Sequence, residues 1–175
     1  KRFKWQLGKL PYGYDHKYTY SHLGYNLKMT DMQASIGVAQ MDKLPSFIRA
    51  RQQNWAKLYR IFKPYEKFFI LPRYPKNSNI SPFGFVVTLK EKTPFSRNDI
   101  VTHLENRGIQ TRMVFAGNIT KQPMMAGVKY RIAGGLKNTD KVMMDTFWLG
   151  VYPGITDKMM NYIGHCCHCF PSEEI

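Results

Sequence analysis

Apolar positions recur at helical spacing through the first third of the chain. Met32, Ile36, Ala39, Met41 and Leu44 mark one such run. Thr30 and Gln33 sit just ahead of it at capping-box spacing: the Thr30 hydroxyl accepts from the Gln33 N–H, and the Gln33 side chain accepts from the Thr30 N–H. Phe47, Ile48, Trp55, Leu58, Tyr59 and Phe62 continue the stripe to about Lys63, where Pro64 stops it. Pro45 removes one backbone hydrogen bond and clashes with the preceding turn. The pattern therefore predicts either one helix over 30–63, kinked at Pro45, or two abutting helices. Met32, Ile36, Trp55 and Phe62 are expected in the core.

The second half alternates in type. Phe68–Leu71 is a short apolar run that reads as a strand, and 74–81 is a loop rich in turn formers. Phe83–Lys90 reads as a strand, with Val86 and Val87 both suited to burial. Ser96 and Asp99 form a second capping box for a helix carrying Ile100, Val101 and Leu104, which Gly108 ends. Ile109–Phe115 is the next strand, so strand, helix and strand together predict an α/β layer. Residues 118–135 are irregular. Asn138 or Thr139 caps a helix predicted to run through Trp148, and Thr156 caps a last helix whose Met159 and Met160 are core fillers. Glycine and proline spacing in residues 1–20 excludes a long helix there.

Composition narrows the class. With 175 residues, 43% hydrophobic and 14% aromatic, the chain is expected to form a globular domain with its own core. No apolar run approaches the roughly 20 residues of a membrane span, and Lys1-Arg2-Phe3-Lys4 is not followed by a signal-type segment. The chain starts without methionine and reads as an excised piece. The formal charge of +14 implies an anionic partner: nucleic acid, a membrane surface or phosphorylated small molecules. The scatter of the basic residues favours a solvated surface instead. Trp5, Tyr12, Tyr14, Tyr18 and Tyr20, interleaved with Lys4, Lys9, His16 and Lys17, form either a base-stacking surface or an irregular loop packed on its own rings. Cys166, Cys167 and Cys169 lie too close together to staple a fold, which fits a reducing cytoplasm. The segment His165–Cys169 has C-x-x-C spacing, but structural zinc needs a second ligand pair that the chain lacks. No metal is assigned.

Candidate chemistry lies ahead of the first cap. Gly24-Tyr25-Asn26-Leu27-Lys28 places an amide and a cation beside the positive end of a helix, an arrangement suited to phosphate. The alternative is a turn with a solvated lysine. His22 is a candidate general acid or base, since imidazole titrates near neutrality, but it has no partner in sequence.

The same residues carry a resemblance. GYNLKMTDMQASIGVAQ resembles the signature of the DegT/DnrJ/StrS family, sugar-modifying enzymes of the aspartate-aminotransferase fold that use pyridoxal or pyridoxamine phosphate. YDHKYTYSHLGYNLKMTDMQA, TRMVFAGNITKQP and DTFWLGVYPGIT are similar to the branch of CDP-4-keto-6-deoxyglucose 3-dehydrases, which remove a sugar 3-hydroxyl on the way to the dideoxysugars of lipopolysaccharide O-antigens. The matches run in order from about Lys1 to about Ile163. The resemblance implies the C-terminal portion of a fold-type-I enzyme. Residues 1–29 would close the large cofactor domain, 30–63 would form the linking helix, and 64–175 a small α/β domain with a short, mainly antiparallel sheet flanked by helices.

It also implies roles. Asn26 and Lys28 would reach across a homodimer interface to the neighbour's cofactor phosphate. Arg112 and Asn118 would contact the diphosphate or sugar of a CDP-sugar, with His22 also on the substrate side; a surface arginine is the alternative for Arg112. Phe115 stands where sugar aminotransferases of the family carry a polar residue, often histidine, and its apolar ring fits a dehydrase pocket; otherwise it is the buried end of a strand. The catalytic base, a histidine in this branch, and the iron–sulfur ligands would belong to upstream sequence. No catalytic residue is therefore expected in this chain, which alone would be inactive, and a reductase would supply electrons to the whole enzyme. A sugar aminotransferase of the same family and a basic nucleic-acid-binding module are the alternatives.

Overall fold

The computed structural model describes residues 6, 9–12, 23, 25 and 27–173, with side chains to Phe170. Asn26, His22, Gly24 and most of the aromatic segment 1–20 lie outside the described residues. The chain divides into two compact units, Lys1–Gln40 and Met41–Ile175.

In the first unit, the capping box forms as its spacing predicts. The Thr30 N–H donates to Gln33 Oε1 at 3.0 Å, and the Gln33 N–H donates to Thr30 Oγ1 at 3.4 Å. Helix α1 follows over Asp31–Met41. None of its residues is buried, and Met32 and Ile36 are 80% and 65% exposed, so their expected place in the core is corrected. At 100° per residue, Met32, Ile36, Val38 and Met41 fall on several sides of the helix and make no single seam.

Helix α2 spans Leu44–Phe62. The break falls at Asp42–Lys43, and Pro45 lies in the first turn of α2. Its missing N–H is one that the helix start leaves unpaired anyway, so two helices replace one kinked helix. Leu58 and Phe62 are buried along one face.

The sheet has the order β1-β2-β4-β3, formed by β1 (Phe69–Ile70), β2 (Gly84–Leu89), β3 (Thr111–Met113) and β4 (Thr146–Gly150). Every pairing is antiparallel. Val87 lies opposite Phe147 and Phe85 opposite Leu149, all four buried on the core face. Strand alternation turns Val86 to the other face, where it is 39% exposed, so Val86 and Val87 are not buried together. Helix α2 packs on β2, helix α3 (Arg97–Asn106) on β3 and β4, and helix α5 (Asp157–Glu173) on α2 and α3. Rings of Phe62, Phe69, Phe85, Phe95 and Phe170 join the layers at centroid distances from 4.8 to 6.0 Å.

The Ser96–Asp99 capping box of α3 forms, and Gly108 follows at φ +72°. Thr156 Oγ1 accepts from the Met159 N–H at 3.3 Å at the start of α5. Helix α4, by contrast, covers only Lys137–Asp145 and starts at Leu136 without a side-chain cap. The helix predicted through Trp148 is corrected: Thr146–Gly150 is an inner strand, bonded to both β2 and β3. Long-range pairing of β-prone residues overrides the local helical pattern. Strand β3 is shorter than the predicted 109–115, because Phe115 adopts φ +43° and breaks the extended backbone.

Candidate functional site

The candidates among the described residues fall in two places. Lys28 is exposed in the run leading into α1. Thr30 already takes the Gln33 N–H with its hydroxyl and the Ala34 N–H, at 2.9 Å, with its carbonyl. The N–H groups of Asp31 and Met32 have no acceptor within the helix, which leaves a partial positive charge at its mouth. The Asp31 carboxylate in that first turn opposes a bound anion.

Arg112, Phe115 and Asn118 lie on β3 and its exit loop, in the second unit. Arg112 is directly across from Trp148 on the sheet face away from the core. Both line a crevice of about 350 Å³ with Gln110, Tyr152, Met159 and Tyr162. The Trp148 ring is fixed: its Nε1–H donates to the Met113 carbonyl at 3.0 Å, and it lies so close over Gly84 that a Cβ there would sit 2.5 Å from the ring. Phe83 packs beside it at 5.0 Å. Tyr162 is tied by its hydroxyl to the Arg107 carbonyl at 3.1 Å. An apolar, aromatic-walled crevice with a guanidinium on its wall suits a flat ring that bears an anionic tail.

Phe115 is 82% exposed, so it is not the buried end of a strand. Its N–H donates to the Met113 carbonyl at 2.8 Å, and the Gly117 N–H to the Val114 carbonyl at 2.9 Å. Gly117 holds φ +58° against α4, where an added Cβ would meet Met143 Cγ at 2.7 Å.

Asn118 points inward and is 1% exposed. Its Oδ1 accepts from the Thr120 N–H at 3.1 Å and hydroxyl at 2.7 Å, while Nδ2 donates to Asp140 at 2.6 Å. Lys121 and Asn118 together hold the Asp140 carboxyl below its ordinary value. Through these bonds Asn118 knots the exit loop that carries Phe115. The sequence nominates neither Trp148, which its pattern puts on a helix, nor Tyr152. The sequence signal for a strand there is the β-branched and aromatic run Thr146-Phe147-Trp148.

Residues 7–168 match the DegT/DnrJ/EryC1/StrS aminotransferase family. The chain is 49% identical, over 93% of its length, to the lipopolysaccharide biosynthesis protein RfbH of Salmonella typhimurium, and covers 37% of that protein. It is 48% identical, again over 93%, to the dTDP-4-dehydro-2,6-dideoxy-D-glucose 3-dehydratase of Saccharopolyspora spinosa, covering 35% of it. The chain thus spans little more than a third of the length of these relatives. Among solved structures, the E. coli GDP-4-keto-6-deoxy-D-mannose-3-dehydratase with bound hydrated PLP matches with a TM-score of 0.72 at 22% identity, over 86% of this chain and 38% of that one. That likeness establishes the fold: the α/β architecture is one found in fold-type-I enzymes.

Proposed function

The chain belongs to the DegT/DnrJ/EryC1/StrS aminotransferase family, and on that premise we propose that it is the small-domain portion of a nucleotide-sugar 3-dehydratase. The proposed substrate is CDP-4-keto-6-deoxyglucose, and the proposed product leads to the dideoxysugars of lipopolysaccharide. The identity of nearly one half to a sugar 3-dehydratase over 93% of the chain carries this reading. The exposed apolar Phe115 ring and the crevice beside Arg112 support it.

Each residue has a proposed task. Lys28 and the free N–H groups at the mouth of α1, with Asn26, hold the phosphate of a pyridoxal- or pyridoxamine-type cofactor bound by a partner subunit. The described residues suit that phosphate in kind, a point charge beside a helix start, and Asp31 keeps the grip moderate. When bound, the cofactor supplies an amine for the 4-keto group and an electron sink for loss of the 3-hydroxyl. Arg112 binds the diphosphate, and Trp148 and Tyr152 take the nucleobase between their rings. Phe115 covers the sugar and excludes water, on a loop set by Asn118. His22 is proposed on the substrate side. The proton-abstracting base and the iron–sulfur ligands come from outside these 175 residues, in a cytoplasmic homodimer served by a reductase.

Arg112→Ala in the assembled enzyme tests the crevice. Loss of a bidentate guanidinium–phosphate contact should raise KM for the nucleotide sugar by roughly 10- to 100-fold, at about 1.5–3 kcal/mol for a charged hydrogen bond, with kcat little changed. An unchanged KM would remove Arg112 from the substrate.

A further inference from the structure

Three glycines stand at or beside the crevice that Arg112 lines, and side-chain rings cover only two of them. A Cβ on Gly84 would sit 2.5 Å from the Trp148 ring, and one on Gly154 would sit 2.5 Å from the Tyr152 ring. Each ring thus rests where a side chain is missing. Gly150 lies midway in sequence between these two aromatic residues and lines the crevice with them. A Cβ there would meet no heavy atom within 4 Å beyond its chain neighbours. Its φ is not positive, so neither crowding nor backbone strain within the chain calls for glycine. A strand glycine of this kind marks a place where a ligand comes close to the backbone.

Gln110 reaches the same floor from the neighbouring strand. Thr111 pairs with Leu149 in antiparallel register, so the next step places Gln110 beside Gly150. Gln110 precedes Arg112 by two residues, the repeat that puts both on one face, and both line the crevice. The Gln110 side chain is exposed, and its amide has no hydrogen-bond partner among the described residues. An amide presents an acceptor and a donor side by side, a pattern that pairs with the edge of a nucleobase.

We propose that the nucleobase enters between Trp148 and Tyr152 with its edge seated over the bare Gly150 backbone, where the Gln110 amide reads it. This assignment rests on the nucleotide-sugar function proposed above and adds the residues that recognise the base. With cytosine, Gln110 Oε1 accepts from the exocyclic N4–H and the Nε2–H donates to ring N3. Arg112, one strand repeat further on, is left to the diphosphate. Gly150 is a positioning residue, since its contribution is the side chain it lacks.

Calorimetric titration of the assembled enzyme with CDP, and with inorganic pyrophosphate as a base-free control, tests the assignment. Gly150→Ala should weaken CDP binding by roughly 10-fold or more, because a methyl group then stands in the slot. Gln110→Leu keeps a similar shape and should weaken it by roughly 3- to 10-fold through loss of neutral hydrogen bonds. Both variants should keep the wild-type affinity for pyrophosphate and the wild-type melting temperature. Trp148→Ala should weaken CDP binding as well. Unchanged CDP affinity in Gly150→Ala or Gln110→Leu, with Trp148→Ala still weakened, would overturn the proposal and leave the nucleobase crevice standing. A parallel loss of pyrophosphate binding in Gly150→Ala would also overturn it. CDP affinity unchanged in all three variants would remove the nucleobase from the crevice, and the proposal with it.

Discussion

Gly117 shows how one residue can be fixed by two independent demands. Its φ of +58° favours glycine, and α4 leaves no room for a Cβ beside Met143. Gly117→Ala should destabilise the chain by about 1–3 kcal/mol in denaturant unfolding, whereas a neutral result would mean that the loop relaxes freely. Cys167 illustrates burial acting on chemistry. Desolvation in the core pushes its thiol up to about 12, so almost no thiolate exists at neutral pH. Iodoacetamide at pH 7.5 should spare Cys167 in the folded chain and label it after unfolding, read by peptide mass spectrometry. At this scale the sequence announced Asn118 as a polar residue at a strand exit. It could not show that Thr120 and Asp140 use up the side chain, because the Asp140 partner arrives from a helix far along the chain.

Elements differ in how openly they declare themselves. The Thr30–Gln33 and Ser96–Asp99 boxes were legible because donors and acceptors sit three residues apart and need no tertiary help. Strand β4 was not, because what makes Thr146–Gly150 a strand is pairing with Gly84–Thr88 and with β3, both distant in sequence. The join between α3 and β3, by contrast, is short and closed by local side-chain bonds. Glu105 accepts from the Thr111 N–H at 2.6 Å and from its hydroxyl at 2.8 Å. These bonds hold the Glu105 carboxyl below its ordinary value. A carboxylate depressed in the folded state adds stability above its unfolded value, near pH 4.3, and that stability is lost as pH falls through the lower folded value. Glu105→Gln should therefore flatten the acid limb of a stability-versus-pH curve. It should weaken the chain by roughly 0.5–1 kcal/mol at pH 7, a small effect because the carboxylate is exposed. An acid limb unchanged in Glu105→Gln would place the pH dependence elsewhere.

For the whole molecule, the family, the antiparallel character of the sheet and the helical flanks were readable from the three matching segments. The exposure of α1 was not: its apolar residues look like core by spacing, yet no described residue of the chain buries them. Among the described residues no helix is long and apolar enough to cross a membrane. The product formed by the complete enzyme from CDP-4-keto-6-deoxyglucose, analysed by mass spectrometry with and without an amino-acid donor, is the most direct measurement of the proposed reaction. Loss of the 3-hydroxyl with no amino donor consumed is the expected result; a 4-amino sugar formed with stoichiometric consumption of glutamate would contradict it.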